Sequence, residues 1–422
     1  MAAAAPGTDG GAVSAGVARQ AVLGVLGRLR RGRVEIVERG RRLEFGDGDG
    51  PAATVTVRSP AFYRQALRGS VGLGDSYARG LWDCDDLVAL VRVLARNMDA
   101  IDRVRRRVAP ALLPVQRLAS RAWLPTPARS RRQIAAHYDL GNDFFELFLD
   151  ETMTYSCAVF DSPGTDLADA SRAKLERVCA KLDVQPGDHV LEIGTGWGSF
   201  ALHAATTRGC RVTSTTLSKE QHEYARGRIE DAGLSDRVKL LLDDYRHLEG
   251  RYDKLVSIEM IEAVGWQNFG TFFRRCSDLL RSTGAMALQA ITIDDRAYDL
   301  EKATRSFIKS RIFPGGALPS LEVMTRQVAR RTDMRAVHLE DITPHYPPTL
   351  AAWRRRLLDN AGRVVARGYP ERLVRQFELY FAYCEAGFRE RRIGDVQMVL
   401  AKPGFRGEQA VLEGAREAVI AG

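Results

Sequence analysis

Val190-Leu-Glu-Ile-Gly-Thr-Gly-Trp-Gly-Ser-Phe200 is the stretch that decides the fold of this chain of 422 residues. A hydrophobic run ends at Glu192, and Gly194, Gly196 and Gly198 then precede an apolar pattern with helical spacing. The pattern predicts a buried strand that turns sharply into a helix and leaves backbone open to a ligand at the turn. The alternative is a tight structural turn that binds nothing.

This loop departs from the fingerprint of dinucleotide-binding proteins in two places. Ser199 stands where that fingerprint has Gly or Ala. About 20 residues on, where an acid would bind a ribose, the chain has Thr215, Thr216 and Ser218. The spacing therefore favours a nucleoside ligand that carries no pyrophosphate.

Length and composition indicate a globular protein with two or three domains, since 45% of the 422 residues are hydrophobic and 27% are charged. No apolar run approaches the roughly 18 residues that a membrane span needs.

Residues 1–15 are rich in Ala and Gly without a basic region, so we expect a disordered tail and a cytoplasmic protein. The six cysteines show no metal-ligand spacing, and neither a zinc site nor a disulfide framework is expected.

Residues 101–133 are predicted to be an Arg-rich connector. Nine arginines and one acid lie between positions 101 and 132, interleaved with leucines and a tryptophan. An anionic membrane surface attracts such a segment, at about 1 kcal/mol per basic residue. The alternative is a solvated linker whose apolar residues pack on a neighbouring domain. Nucleic acid is disfavoured as a partner, because no recognised fold surrounds the arginines and aromatic residues are few.

Strand and helix patterns divide the remainder into two domains and a C-terminal tail. Residues 16–100 predict a small mixed α/β N-terminal domain, with strands at 34–37 and 53–57 around a Gly-rich turn at 46–50 and helices at 62–68 and 87–97. Residues 134–405 predict strands at 188–193, 211–215, 237–242, 253–258, 284–293 and 396–402, with helices at 199–207, 218–232 and 268–280 between the first five strands. Such alternation predicts an α/β fold with a doubly wound, Rossmann-like sheet that binds ligands at the carboxyl ends of its strands. Residues 406–422 are predicted to be a tail.

Polar residues follow the second and third strands of the predicted sheet. Thr216, Ser218 and Gln221 could hydrogen-bond a ribose or an amino-acid group, although Ser218 and Gln221 also fit a plain helix capping box. Asp244 and Tyr245 offer an acid and an aromatic ring to an adenine. A glycine loop, a ribose contact and an adenine contact on successive strands form the layout of an S-adenosylmethionine-binding sheet.

Four further segments carry a resemblance to a known family. They are His137-Tyr-Asp-Leu-Gly-Asn-Asp-Phe-Phe145, Thr154-Tyr-Ser-Cys-Ala-Val-Phe160, Met260-Ile-Glu-Ala-Val-Gly265 and Ile312-Phe-Pro-Gly-Gly-Ala-Leu-Pro-Ser320. From about 134 to 403 the chain resembles cyclopropane-fatty-acyl-phospholipid synthases, which are related to mycolic-acid cyclopropane synthases and methyltransferases. Residues 34–100 resemble the N-terminal domain of the longer bacterial members.

The resemblance implies methyl transfer from S-adenosylmethionine to the cis double bond of an unsaturated phospholipid acyl chain, at the inner membrane surface. It implies that Trp197 joins the glycine loop in binding the cofactor, that Tyr155 and Ser156 contact its methionine end, and that His137 and Tyr138 pin the segment that covers it. Attack by the alkene leaves a carbocation, which must lose a proton to give a cyclopropane or a methylene group. Water would trap this cation, so we expect a dry, apolar tunnel.

In the family, a bicarbonate ion is the base. The groups implied to hold it here are Cys157, Glu262, the backbone of Ile291 and the hydroxyl of Tyr346. A carboxyl beside an anion needs a shared proton, so a raised pKa is expected for Glu262. Without the family motif, Cys157 would be interpreted as a buried small hydrophobe, Glu262 as a cap or ion-pair partner, and Tyr346 as a loop anchor.

One residue departs from the family pattern. Gln289 stands in Leu288-Gln-Ala-Ile291 where many members have a histidine, and an amide carries neither a proton nor a positive charge. Members with this pattern resemble makers of methylene or methyl-branched fatty acids, so both the cyclopropane and the methylene outcome stay open, and a reductase could act on a methylene product.

A homodimer through the N-terminal domain and connector is suggested by analogy alone. Two rival hypotheses remain, a small-molecule N-methyltransferase on the same fold and a lipid-surface scaffold protein without catalytic activity.

Overall fold

The computed structural model describes residues 15–98 and 140–406. Of the predicted tails at 1–15 and 406–422, all residues but Ala15 and Arg406 lie outside the described residues, as do the Arg-rich connector, His137 and Tyr138. The described part forms two β-sheets with helices packed on them. None of its helices combines the length and the apolar character that crossing a bilayer requires.

The smaller sheet is built by residues 33–84. In chain order the N-terminal elements are α1 (Ala15–Leu26), β1 (Arg33–Glu38), β2 (Arg41–Gly46), β3 (Ala52–Val57), α2 (Ala61–Ala66), α3 (Gly69–Ala78), β4 (Trp82–Cys84) and α4 (Leu87–Arg96). The strand order is β2-β1-β3-β4, with β1 parallel to β3 and the outer strands antiparallel. Val34, Ile36, Ala53 and Val55 alternate into the core, as strand patterning requires. The sequence did not predict β2 and β4, because β2 is a largely exposed edge strand and β4 has only three residues.

The larger sheet has seven strands in the order β10-β11-β9-β8-β5-β6-β7. Its elements and the helices around it are α5 (Asn142–Phe145), α6 (Leu167–Leu182), β5 (His189–Ile193), α7 (Ser199–Arg208), β6 (Arg211–Thr215), α8 (Lys219–Asp231), β7 (Val238–Leu241), β8 (Tyr252–Ile258), α9 (Phe269–Leu279), β9 (Leu280–Ile293), α10 (Tyr298–Ala303), α11 (Leu321–Arg331), β10 (Arg335–Asp341), α12 (Tyr346–Asp359), α13 (Ala361–Ala366), α14 (Glu371–Arg389) and β11 (Ile393–Ala401).

Strands β5 to β9 are parallel, which confirms the predicted Rossmann-like sheet. Two features at its edge were not predicted. Strand β11 lies between β9 and β10 and is antiparallel to both, and a strand's direction cannot be read from its own composition. Strand β10 escaped prediction because it is an edge strand whose apolar residues Val337 and Leu339 are exposed.

Helix α14 joins the N-terminal elements to the larger sheet. Arg92 and Arg96 each donate to a different oxygen of Glu390, at 2.7 and 2.8 Å. Phe307 lies against Gly74 of α3, where a Cβ atom would come within 2.2 Å of the ring. One hydrophobic core runs from the strands of the smaller sheet to the aromatic residues of α14. The domain boundary near residue 100 remains a prediction.

Replacing Gly74 by Ala tests this junction. The added methyl group has no room beside Phe307, so we expect Gly74→Ala to lower the free energy of unfolding by about 1–3 kcal/mol, the usual cost of overpacking. The matched control is Gly24→Ala in α1, where the new methyl meets nothing within 4 Å, and a gain of about 0.5–1 kcal/mol is expected. Urea unfolding measures both. Equal stability of the two variants would contradict the close contact.

Candidate active site

The glycine loop follows β5 at the carboxyl end of the sheet. Gly194, Gly196 and Gly198 have φ angles of 107°, 53° and 89°, which non-glycine residues rarely adopt. The backbone N–H groups of Gly194 and Thr195 both donate to the carbonyl of Thr215, at 3.0 and 3.1 Å, and fix the loop against β6. A Cβ atom on Gly196 would meet nothing within 4 Å, so the loop borders open space. The structure thus has the sharp turn with accessible backbone that the sequence predicts.

A buried carboxyl supports the loop from beneath. Ser214 Oγ donates to Glu192 Oε2 and lies 2.6 Å from Thr195 Oγ1. Burial raises the pKa of Glu192 to about 8, so this side chain is largely neutral at pH 7. The chain of hydrogen bonds connects the end of β5 to β6 without placing a charge under the loop.

Thr216, Ser218 and Gln221 lie together after β6. Ser218 is the N-cap of α8 and accepts from the Gln221 N–H at 3.2 Å. The Gln221 side chain does not return to Ser218 as in a capping box; its Oε1 accepts from Thr216 Oγ1 at 3.1 Å. The capping role is therefore present, and the additional contact with a ligand remains a prediction.

Asp244 and Tyr245 follow β7. Arg246 holds Asp244 through two bonds from its guanidinium, at 2.8 and 2.6 Å. The ring of Tyr245 is buried edge-to-face against Phe272, with centroids 5.5 Å apart. Its hydroxyl has no hydrogen-bond partner among the described residues. A role of either side chain in binding adenine remains a prediction.

Two signature segments close over the glycine loop. Trp197 Nε1 donates to Asn142 Oδ1 at 2.7 Å, and the Trp197 ring lies 4.8 Å from that of Phe145. Arg228 donates to the carbonyls of both Trp197 and Thr152, at 2.9 Å each. Hydrogen bonds that involve α5 and α8 therefore hold the segment before residues 155–157 against the glycine loop.

Tyr155 and Ser156 follow this segment. The hydroxyl of Tyr155 is 3.2 Å from that of Tyr380, and Ser156 Oγ accepts from Lys174 Nζ at 2.8 Å. Lys174 is buried, and desolvation lowers its pKa against the opposing effect of nearby carboxylates, with Glu259 first among them. The predicted cofactor segment thus leads directly into a cluster of acids.

Glu259 is the centre of that cluster, and the sequence did not single it out. It follows β8, and its Oε1 accepts from the Cys157 N–H and from Gln289 Nε2, both at 2.8 Å. Its Oε2 accepts from the Tyr346 hydroxyl at 2.6 Å. The structure therefore brings Cys157, Gln289 and Tyr346 together around a carboxylate of the chain itself. The available signal was an acid directly after a buried strand, at the ligand-binding edge of the sheet.

The orientation of Gln289 follows from the sheet register. Ile258 pairs with Gln289 across β8 and β9, and the Glu259 N–H donates to the Gln289 carbonyl at 2.9 Å. On the other side Gln397 Nε2 donates to Gln289 Oε1 at 3.0 Å. With its oxygen occupied in this way, the Gln289 amide directs its NH₂ group toward Glu259 and Asp395.

Glu262 and Ile291 form a separate pair. Glu262 Oε1 accepts from the Ile291 N–H at 2.6 Å, and the signature segment at 312–320 contributes the Ala317 N–H, which donates to the Glu262 carbonyl at 2.8 Å. Glu262 Oε2 is buried with no hydrogen-bond partner in the described part of the chain. Burial, with a smaller effect of Glu259, raises the pKa of Glu262 to about 8. The shift has the direction expected from the sequence.

Asp395 of β11 is a further acid of the cluster, and the sequence did not single it out as a site residue. It is fully buried, its Oδ2 lies 3.2 Å from Gln289 Nε2, and burial together with Glu259 raises its pKa well above the usual range. Burial, Asp395 and Glu259 also raise the pKa of the Cys157 thiol. Cys157 is therefore a neutral thiol, and its backbone N–H makes the contact with Glu259.

Aromatic side chains enclose this acid cluster. Tyr346 stacks on Phe388 with a centroid distance of 4.2 Å, and Tyr155 lies 5.1 Å from Trp353. We call the surrounding set the aromatic cluster; it consists of Phe148, Tyr155, Phe313, Tyr346, Trp353, Tyr380, Phe381 and Phe388. Aromatic faces exclude water and attract cations, by about 0.5–2 kcal/mol for each contact.

Comparisons with known proteins identify the family to which this chain is similar. Residues 126–398 match the sequence model of a family described as mycolic acid cyclopropane synthetase. Tuberculostearic acid methyltransferase UfaA1 of Mycobacterium tuberculosis is 39% identical over 381 residues, which are 86% of this chain and 88% of the relative. Cyclopropane-fatty-acyl-phospholipid synthase of Escherichia coli is 36% identical over 365 residues, 84% of this chain and 89% of that protein.

Solved structures show the same likeness. The cyclopropane synthase MmaA2 of Mycobacterium tuberculosis superposes with a TM-score of 0.61 at 31% identity, over 64% of this chain and 98% of that one. Mycolic acid cyclopropane synthase CmaA1, complexed with SAH and CTAB, gives a TM-score of 0.60 at 30% identity, with the same coverage. Coclaurine N-methyltransferase, at 21% identity and a TM-score of 0.55, shares the fold.

Gly196→Ala tests whether a nucleoside binds at the glycine loop. The new methyl group would project into the open space beside the loop, so we expect at least a tenfold loss of affinity for S-adenosylhomocysteine. The matched control is Gly164→Ala, at another glycine with positive φ and an open surrounding. Both variants carry a similar backbone cost, of about 1 kcal/mol. Isothermal titration that finds equal affinity in the two variants would contradict the site.

Glu262→Gln tests the raised pKa of Glu262. From its ordinary value of 4.5 up to about 8, the unfolded chain has lost a proton that the folded protein keeps. Stability should therefore fall as pH rises through this range, and the variant should show a smaller fall than the wild type. Urea unfolding at pH 5 and pH 8 measures the difference. Glu223→Gln, on the exposed surface of α8, is the control. An unchanged slope in Glu262→Gln would contradict the assignment.

Proposed function

The chain belongs to the mycolic acid cyclopropane synthetase family of S-adenosylmethionine-dependent methyltransferases, and on that premise we propose a specific reaction for it. It transfers the methyl group of S-adenosylmethionine to the cis double bond of an unsaturated phospholipid acyl chain. The product is a cyclopropane or a mid-chain methylene group.

One observation carries this proposal. The segment at 155–157 connects an open, glycine-lined loop to a partly exposed carboxylate beside the aromatic cluster. A polar nucleoside fits the first side, and an apolar chain that becomes cationic fits the second. The ring contacts of the aromatic cluster suit an apolar acyl chain, and the identity to acyl-chain methyltransferases favours the lipid over a small-molecule N-methylation substrate.

S-adenosylmethionine supplies an electrophilic sulfonium methyl group when bound. The residues of the chain then have three tasks. The glycine loop, with Trp197 held by Asn142, orients the nucleoside. The aromatic cluster excludes water and stabilises the cation on the acyl chain. A carboxylate at the end of β8, which accepts from the Tyr346 hydroxyl, is available to a proton that leaves the cation.

Gln289 fixes the geometry of the site without moving protons. Its amide is held on one side by Gln397 and donates on the other to Glu259. Tuberculostearic acid methyltransferase UfaA1 is the relative with 39% identity, and the synthase of Escherichia coli has 36%, so relatives of both kinds support methylation of an acyl chain. Both products require the loss of one proton from the cation.

The finer parts of the proposal concern partners and location. We propose that the enzyme binds peripherally at the cytoplasmic face of the membrane, where its substrate lies, and that a reductase acts on a methylene product. A homodimer is a further proposal from the family resemblance. Bicarbonate as the base finds no support in the contacts, because the donors predicted to hold it already bind Glu259 and Glu262.

The reaction is tested with purified protein, S-adenosylmethionine labelled in its methyl group and vesicles of oleoyl phospholipid. We expect the label in the acyl fraction, because the aromatic cluster fits an apolar acceptor. Mass spectrometry after mild hydrogenation distinguishes a ring from a methylene group. Label found only in small soluble amines would contradict the proposal, and vesicles with saturated chains are the control.

Membrane association is tested by vesicle flotation. The arginines at 103, 105, 106 and 107 should add about 1 kcal/mol each on an anionic surface. Replacing these four by Gln is expected to lower affinity for anionic vesicles at least tenfold and to leave the weak binding to neutral vesicles unchanged. Binding that does not respond to the substitutions or to salt would refute the electrostatic contribution.

A further inference from the structure

We propose that the carboxylate of Glu259 is the proton acceptor of the reaction and takes the place that an external anion would occupy. The inference rests on the proposed function, since it assigns the base for the acyl-chain cation. It goes beyond that function by giving the role to a residue of the chain.

The contacts leave an external anion without its predicted donors. The Cys157 N–H, the Gln289 amide and the Tyr346 hydroxyl all point at Glu259, at 2.8, 2.8 and 2.6 Å. The remaining predicted donor, the Ile291 N–H, is taken by Glu262 Oε1 at 2.6 Å. The groups that would hold an anion are therefore satisfied by two side chains.

The two acids beside Glu259 favour their protonated forms. Burial, with a further effect of Glu259, raises the pKa of Glu262 to about 8 and the pKa of Asp395 well above its usual range. A second anion beside Glu259 would meet repulsion in a low-dielectric surrounding. One anion in the cluster is therefore favoured over two.

The position of Glu259 also suits a base. Cys157, Gln289 and Tyr346 are buried, whereas Glu259 is partly exposed and so faces the open side of the cluster. Its φ angle of 48° lies in the left-handed region, where residues other than Gly, Asn and Asp are uncommon. Strained backbone of this kind concentrates at functional sites.

The chemical step balances with Glu259 as the acceptor. The π electrons of the double bond form a bond to the transferred methyl carbon as its bond to sulfur breaks, and a cation remains on the neighbouring chain carbon. For a cyclopropane, Glu259 takes a proton from the new methyl group, and the electrons of that C–H bond close the ring onto the cationic carbon. For a methylene group, a hydride first shifts from the methyl-bearing carbon to the cationic carbon; Glu259 then takes a proton from the methyl group, and the electrons of that C–H bond form the methylene double bond. In both cases the carboxylate becomes a carboxylic acid. The proton then leaves from the partly exposed side.

Glu259→Gly and Glu259→Gln give opposite outcomes in a rescue experiment. Glycine fits the backbone and frees three donors, so in bicarbonate-depleted buffer we expect at least a hundredfold loss of acyl methylation and at least tenfold recovery with added bicarbonate. Glutamine fills the space, so the same loss without recovery is expected. The wild type should not depend on bicarbonate. Arg39→Gly, at an exposed turn residue with φ of 49°, is the control for the backbone and should keep wild-type activity.

A binding measurement separates this inference from the proposed function. ¹³C-labelled bicarbonate should give a bound NMR signal with Glu259→Gly and none with the wild type, whatever lipid is methylated. Affinity for S-adenosylhomocysteine verifies that the variants are folded. A wild type that binds bicarbonate or needs it for activity would overturn the assignment of Glu259, as would full activity of Glu259→Gly in depleted buffer. A wild type that methylates no acyl chain would overturn the proposed reaction, and with it the role of Glu259 as its base.

Discussion

The hydrogen bonds to the Glu259 carboxylate are the interaction on which the site depends. They join four separate parts of the chain. Glu259 follows β8 and Gln289 lies in β9, whereas Cys157 lies in the signature segment at 154–160 and Tyr346 begins α12. Removing a carboxylate from water costs free energy unless hydrogen-bond donors surround it, and here three donors do so. The same contacts that stabilise the charge therefore fix the relative positions of the strands, the loop and the helix.

The surroundings of the Glu259 carboxylate suit the proposed methylation, which passes through a carbocation on the acyl chain. Burial favours the protonated form of the neighbouring acids Glu262 and Asp395, which reduces the repulsion between carboxyl groups in the cluster. The aromatic cluster excludes water and offers ring faces to a developing positive charge. In the proposed reaction, Glu259 accepts the proton that the cation loses, and the methyl donor binds at the glycine loop, on the other side of the segment at 155–157.

The sequence was sufficient for the sheet and for most of the residues that meet at its edge. Strong hydrophobic periodicity located β5 to β9, and the family resemblance singled out Cys157, Gln289 and Tyr346, which the structure brings together. It was insufficient for β2 and β10, which are edge strands with little apolar patterning, and for the direction of β11. Glu259 was missed because a resemblance carries over the known positions only, whereas its role follows from the β8–β9 register and from hydrogen bonds between distant parts of the chain.

The most direct measurement is a crystal structure of the wild type with S-adenosylhomocysteine and an oleoyl phospholipid analogue, grown with bicarbonate present. We expect the cofactor sulfur and the acyl double bond on the open side of Glu259, with the carboxylate still bonded to Cys157, Gln289 and Tyr346 and no separate anion among them. A bicarbonate ion bound to those three groups, with Glu259 turned away from the acyl chain, would contradict it.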